Sequence, residues 1–375
     1  MTLLDIRPTS TEDPTTVIPA LVEAAPQPPA ERPRSIRARP LEDKLNFAGA
    51  AVGSLALVWL LYTQVLPTSG SVGFVVCWYL TFAALYALVT SLDQEGPAIR
   101  DRLASALVHG AAALVAFGLF SAIVYVFARG AKGLGHANTF TKDGSGVGPL
   151  TPLTHGGALH AVIGTLIEIG IAVVVTLPLG VATAVYMVEI GGRFARIVRT
   201  LVEAMTALPS IVAGLFIYTL LIIKLGVPKT GFAGSMAISV MILPIIARAS
   251  DVVLRVVPSG LREASLALGA SRWQTVWKIV LPTARPGLAT ALILGIARGV
   301  GETSPVLLTS GASTFLNTNP FKDPMNSLPL YVFSLVRSGQ TVLIDRAFAA
   351  AAILLALVLA MFVAARFLAR QRTGR

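Results

Sequence analysis

Arg298 and Glu302 stand four residues apart in "GIARGVGETSPVLLTSG" (295–311), with no other charged side chain in that stretch. A spacing of four puts both on one helical face, within reach of an ion pair. Ionisable groups at membrane depth are costly, so they face each other or a cavity. Two chemistries fit. The pair can neutralise itself and lock its helix against the neighbours. Or the guanidinium can offer its forked donors to an oxyanion, because arginine matches phosphate oxygens two at a time. Thr303 and Ser304 add hydroxyl donors where a helix loosens ahead of Pro305. Gly295 and Gly299 make a small-x-x-x-small face suited to close helix packing, including packing on a partner subunit.

Further candidates are scattered along the chain. In "ALPSIVAGLF" (207–216), Pro209, Ser210 and Gly214 can break a membrane span, and broken helices expose backbone donors to a substrate. Glu168 lies in an apolar run, where it is expected to pair with an arginine or to keep its proton. Arg248, four residues after Pro244, is either a topological anchor or an anion contact at the inner mouth. The polar loops lack metal-ligand spacing, and His136 and His155 read as solvated loop residues. The single cysteine, Cys77, excludes an intrachain disulfide and a cysteine-based metal site. No nucleophile–base pair and no usefully spaced carboxylates suggest an enzyme. A Gly-x-x-x-x-Gly-Lys-Ser/Thr loop is absent, so the chain is not expected to hydrolyse ATP itself.

The elements that must position these residues are membrane helices. Of 375 residues, 54% are hydrophobic and 13% charged, too few charges for a soluble surface. The net charge of +11 sits at the ends of apolar segments, which points to topology and lipid rather than nucleic acid. Eight stretches are long enough to cross a bilayer: 46–66, 72–91, 105–128, 158–187, 207–225, 231–250, 287–310 and 346–368. The expected fold is all-α and polytopic. With the N-terminus inside, the inner segments carry 21 of the 30 lysines and arginines and the outer ones eight, which predicts both termini in the cytoplasm. Residues 1–45 read as a disordered basic N-terminus, and 46–104 as two additional helices without functional residues. In the outer loop 311–346, "SLPLYVFSLV" is expected to form a helix at the interface.

One inner segment, 255–283, is neither lipid-facing nor a plain loop. "REASLALGASRWQTVWKIVLP" (262–282) holds helix formers on both sides of Gly269, with Pro258 before it and Pro282 expected to close it. Its first half presents Glu263, Ala264 and Ala267, small enough for another backbone to approach. Its second half presents Trp273, Val276 and Trp277. Bulky apolar groups outside lipid suggest a partner, although an interfacial helix also accounts for them. The order Glu263-Ala264, Gly269, Ile279, Leu281, Pro282 resembles the EAA loop of ABC-importer permeases, with Ser265 in place of the second alanine. "GALHAVIGTLIEIGIAVVVTLPLGVATAVYMVEI" (157–190), "ALPSIVAGLF" and "GIARGVGETSPVLLTSG" resemble, in the same order, segments of the phosphate-specific permeases.

That resemblance covers roughly 105–370 and implies a six-helix permease core, with 105–375 as the transport domain. It also implies ATPase coupling through Glu263, Ala264, Gly269, Trp273, Leu281 and Pro282. A substrate path would involve Pro209, Ser210, Arg298, Glu302, Thr303 and Ser304. The implied partners are a PstC-like second permease, a PstB-like ATPase dimer that binds ATP-Mg, and a PstS-like external phosphate-binding protein, all at the bacterial inner membrane. No cofactor is expected in this chain. Another oxyanion, molybdate or sulfate, is the alternative cargo. An ion-coupled secondary transporter would leave the 262–282 segment unexplained.

Overall fold

A computed structural model describes residues 41–65, 70–93 and 96–369, and every regular element among them is helical. The chain divides into two compact units, one ending at Val115 and the other beginning at Ala116. Seven helices are long and apolar enough to span a bilayer, and one bent pair makes an eighth if counted as a single span.

The first unit holds α1 (Leu41–Leu60), α2 (Ser71–Asp93) and the start of α3 (Gly96–Leu134). Residues 41–45 are therefore helical rather than part of a disordered N-terminus, and residues 1–40 of that expected segment lie outside the described residues. An aromatic zipper joins α1 to α2, with Phe47 edge-on to Phe82 at 5.3 Å and to Tyr86 at 5.7 Å.

The second unit continues with α4 (Asn138–Thr141), α5 (Leu159–Val185), α6 (Gly192–Thr206), α7 (Ser210–Ile217) and α8 (Gly231–Val256). It closes with α9 (Ser259–Ala267), α10 (Arg272–Thr275), α11 (Leu281–Val300), α12 (Ser304–Thr309), α13 (Leu328–Val336) and α14 (Thr341–Ala369). Wide π-type turns extend α5 (Tyr186–Ile190) and α7 (Tyr218–Lys224) and join α10 to α11 (Val276–Val280).

α8 is the buried centre. Its Ile238, Ile242 and Ile246 form one i, i+4 ridge and are fully buried. α11 faces that ridge with small residues at the same spacing, Ala291, Gly295 and Gly299. A Cβ on Gly295 would lie 2.7 Å from Ile246 Cγ1 and 2.9 Å from Ile242 Cγ2, so only glycine admits this approach. Ridges of one helix thus sit in the groove of the next. The Gly295–Gly299 face packs within the chain, not on a partner subunit as the sequence suggested. α5 comes equally close on another side of α8, with Gly180 against Ile246.

Three boundaries differ from expectation. The span expected at 207–225 is a 15-residue helix, α7 with its π turn, bent by 107° from α6. Fifteen residues reach only about 22 Å, short of the hydrocarbon thickness. The span expected at 287–310 is shifted, because one helix runs unbroken from Arg272 to Val300 and stops before Glu302. Pro282 therefore lies inside a helix instead of closing one. The π turn just before it has already displaced the hydrogen-bond ladder where proline lacks its donor. Finally, "SLPLYVFSLV" does form a helix, α13, but it buries Leu328, Leu330, Tyr331 and Leu335 against the bundle rather than lying at the surface.

Because the α8–α11 seam depends on that close approach, Gly295→Leu is expected to destabilise the protein by about 1–3 kcal/mol through overpacking, despite leucine's better helix propensity. Thermal unfolding of the purified protein in detergent measures this. An unchanged midpoint would mean the seam tolerates a side chain.

Candidate functional site

The break between α11 and α12 gathers most of the predicted pathway residues. α11 ends at Val300, Gly301–Thr303 are not helical, and α12 restarts at Ser304 with Pro305 in its first turn. Arg298 Nη2 lies 2.9 Å from Glu302 Oε1. The acid is buried, while the arginine side chain is 55% exposed and keeps further N–H donors for another acceptor. Glu302 is not on the helix proper. It sits in the break, where Glu302 N–H donates to Gly299 C=O at 3.1 Å.

α7 completes the joint. Pro209 is extended at the head of this helix, and the Ser210 hydroxyl sits against the Glu302 carboxylate. Gly214 lets α7 meet α12, since a Cβ there would lie 2.6 Å from Pro305 Cα. Two segments some 90 residues apart thus share one place. Thr303 and Ser304 are half-buried, and their hydroxyls make no hydrogen bond among the described residues. The arrangement offers one partly free guanidinium, two hydroxyls and a loosened backbone, with a buried carboxylate to hold the guanidinium in place.

Glu168 lies deeper. It has no arginine partner among the described residues, contrary to one expectation. Ser310 Oγ is within hydrogen-bond reach of both Glu168 Oε1 and the Met325 carbonyl, the latter at 2.8 Å. The Ser310 hydroxyl thus joins α5 to the segment before α13. Gly234 makes room for the pair.

The second candidate is the elbow at 259–282. α9 ends at Ala267 with Leu268 as its cap, and Gly269 turns the chain with φ +84°, a conformation that favours glycine. Ser271 then caps the next helix in a reciprocal pair with Gln274, at 3.2 and 2.9 Å. Ser265 and Thr275 hydroxyls, 2.9 Å apart, tie the two arms together. Glu263, Ala264, Trp273 and Trp277 are exposed, the two indoles edge to face at 5.5 Å. Leu268 is 89% exposed at the tip. Val276, expected beside the tryptophans, is buried instead, one turn before Val280, which packs with Leu254 of α8 and Ala184 of α5. Leu281 is half-buried and Pro282 exposed.

Sequence reasoning missed Arg262. Its Nε pairs with Glu189 at 3.0 Å, while Nη1 and Nη2 donate to Val257 and Leu254 carbonyls at 2.6 and 2.8 Å. It rivets the elbow to the end of α8 and to the turn after α5. No local signal could have found it, since two of its partners are backbone groups and the third is 73 positions away. Also missed was the cluster of Arg199, Asp251 and Arg255, with Asp251 bonded to both arginines at 3.0 and 3.1 Å.

Against this geometry, residues 176–373 match the model of the family described as "Binding-protein-dependent transport system inner membrane component". The chain belongs to that family. This inner-membrane permease is 42% identical over 221 residues to "Phosphate transport system permease protein PstA 1" of Mycobacterium tuberculosis (strain CDC 1551 / Oshkosh), covering 58% of this chain and 73% of that one. It is 36% identical over 217 residues to "Phosphate transport system permease protein PstA" of Haemophilus influenzae, covering 57% and 76%. A crystal structure of a bacterial ABC transporter involved in alginate import is 16% identical, with a TM-score of 0.46, covering 73% of this chain and 97% of that one.

Two outcomes follow for the permease. Glu168→Gln, which brings its own N–H donor, should leave the thermal midpoint nearly unchanged. Glu168→Leu should lower stability by about 1–3 kcal/mol by removing one buried partner of Ser310. Equal losses would mean that a polar group at 168 contributes nothing through Ser310. At the elbow, Gly269→Val should cost about 1–2 kcal/mol locally, read as faster amide exchange across 262–275 with the rest of the protein unchanged. Unaltered exchange would mean the turn has no need of glycine.

Proposed function

We propose that the chain is the transmembrane permease subunit of an ATP-driven importer of inorganic phosphate, forming half of the translocation path. The observation that carries this reading is the identity of 42% with a phosphate permease over 73% of that protein's length. The chemistry of the α11–α12 break supports it. Arg298, with a half-exposed fork of donors and hydroxyls beside it, suits a tetrahedral oxyanion, and the buried Glu302 holds that fork ready. Molybdate or sulfate cargo and an ion-coupled mechanism fit the relatives less well.

In this reading residues 105–375 are the transport domain and 46–104 an addition to it. Both termini face the cytoplasm, and so does the elbow. A PstC-like permease completes the path. A PstS-like binding protein delivers phosphate from outside, and a PstB-like ATPase dimer binds ATP-Mg. Glu263, Ala264, Gly269, Trp273, Leu281 and Pro282 form the contact with the ATPase. Pro209, Ser210, Arg298, Glu302, Thr303 and Ser304 line the route.

The test is phosphate uptake and phosphate-stimulated ATP hydrolysis by the assembled complex in liposomes. Arg298→Ala should leave assembly and basal ATP hydrolysis intact and lower uptake by at least about tenfold, as for loss of a charge-assisted contact. Glu263→Ala should uncouple hydrolysis from uptake or release the ATPase. Normal uptake by Arg298→Ala would make the Arg298–Glu302 pair purely structural. Uptake by the chain without any ATPase would overturn the reading.

A further inference from the structure

A cavity of about 340 Å³ opens between α6 and the end of α8 that carries the elbow. Arg199, Glu203, Arg248, Asp251, Val252 and Arg255 are among the residues that line it. It belongs neither to the α11–α12 break nor to the exposed tip of the elbow. Asp251 spends both carboxylate oxygens on Arg199 and Arg255 and so fixes two guanidinium groups at the wall. Arg248 is exposed and makes no ion pair or hydrogen bond among the described residues. Arg199 Nε is buried and also lacks a partner among them. Three arginines against two carboxylates leave one net positive charge in a space of headgroup size.

α6 shows where such a charge sits. Ala195 and Val202 are buried against the bundle, Phe194, Ile197 and Leu201 form an exposed apolar strip, and Arg193, Arg196 and Arg199 follow on the polar side. A helix with those three faces lies in the interfacial plane of a bilayer, at the depth of lipid phosphates. Val252 and Val256 of α8 are exposed as well.

We infer that this cavity is a binding site for a phosphoryl oxyanion, held by Arg248 with Arg199 and Arg255. The single uncompensated charge matches the monoanionic phosphodiester of an anionic phospholipid, and free inorganic phosphate shares the same chemistry. Asp251 is a positioning residue, orienting two of the three guanidinium groups.

The full chain is purified from membranes with the subunits that accompany it, and two probes are applied. One is radiolabelled inorganic phosphate in lipid-free detergent. The other is a nanodisc of phosphatidylcholine with or without phosphatidylglycerol, with retained lipid read by native mass spectrometry. Arg248→Gln should lower occupancy about tenfold in one arm. Arg196→Gln, the same charge loss on α6 outside the cavity lining, should leave both arms within about twofold. Arg255→Gln should reproduce the loss if Arg248→Gln assembles poorly. A loss in the phosphatidylglycerol arm identifies the lipid, and a loss in the phosphate arm identifies the free ion. Wild-type occupancy in both arms, or an equal loss with Arg196→Gln, would overturn the site.

Discussion

Inside a bilayer every backbone N–H and C=O must find a partner within the protein, so each interruption of a helix has to be sheltered. The second unit interrupts its helices at Leu208–Pro209, at Gly301–Thr303 and at Leu268–Ser271. The first two adjoin each other. Ser210 meets Glu302, and Gly214 meets Pro305, so the two breaks lie side by side. The third lies outside the spans and closes on itself. Gly269 N–H returns to Leu266 C=O at 2.9 Å, Ala270 N–H to Ser265 C=O at 3.2 Å, and Ser271 caps the restart. The two breaks thus bring Ser210 of α7 to Glu302, the partner of Arg298.

The same constraint links the two candidate sites mechanically. One helix of 29 residues runs from Arg272, beside the exposed tryptophans, to Val300, two residues past Arg298. At about 1.5 Å per residue it is a rod about 43 Å long. Its small-residue face lies close along the isoleucine ridge of α8, and Arg262 anchors the elbow to the end of that same α8. A force applied at Trp273 therefore reaches Arg298 without crossing a loop.

Much of this was legible in the sequence. The Arg298–Glu302 pairing followed from their spacing, the glycine turn from Gly269 between helix formers, and the interruption of the fifth span from Pro209. What could not be read were relations among distant segments. Nothing near Gly295 says whether its neighbour is an isoleucine of the same chain or a helix of another. Arg262 looks like one more inner-face cation until Leu254, Val257 and Glu189 surround it. Pro282 misled for a local reason. Proline normally marks a helix boundary, but a π turn immediately ahead of it absorbs the missing donor, and π turns leave no clear composition signal.

The short helix α12 decides where the rod can yield. Its far end is fixed, because Ser310 Oγ is shared between Glu168 and the Met325 carbonyl, and Met325 N–H donates to Ser310 C=O at 3.2 Å. Those bonds tie α12 to α5 and to the loop before α13. Its flank is fixed as well, with Pro305 pressed on Gly214. At the near end Glu302 meets Arg298 and Ser210, and the rest is loose. Gly301 has open space around it, and the hydroxyls of Thr303 and Ser304 are uncommitted among the described residues. A tilt of the Arg272–Val300 rod must then be taken up at Gly301–Thr303, the three residues that hold Glu302. Such a tilt changes how far the Arg298 fork stands from its carboxylate. The Arg298–Glu302 ion pair therefore stands at the joint where such a tilt would be absorbed.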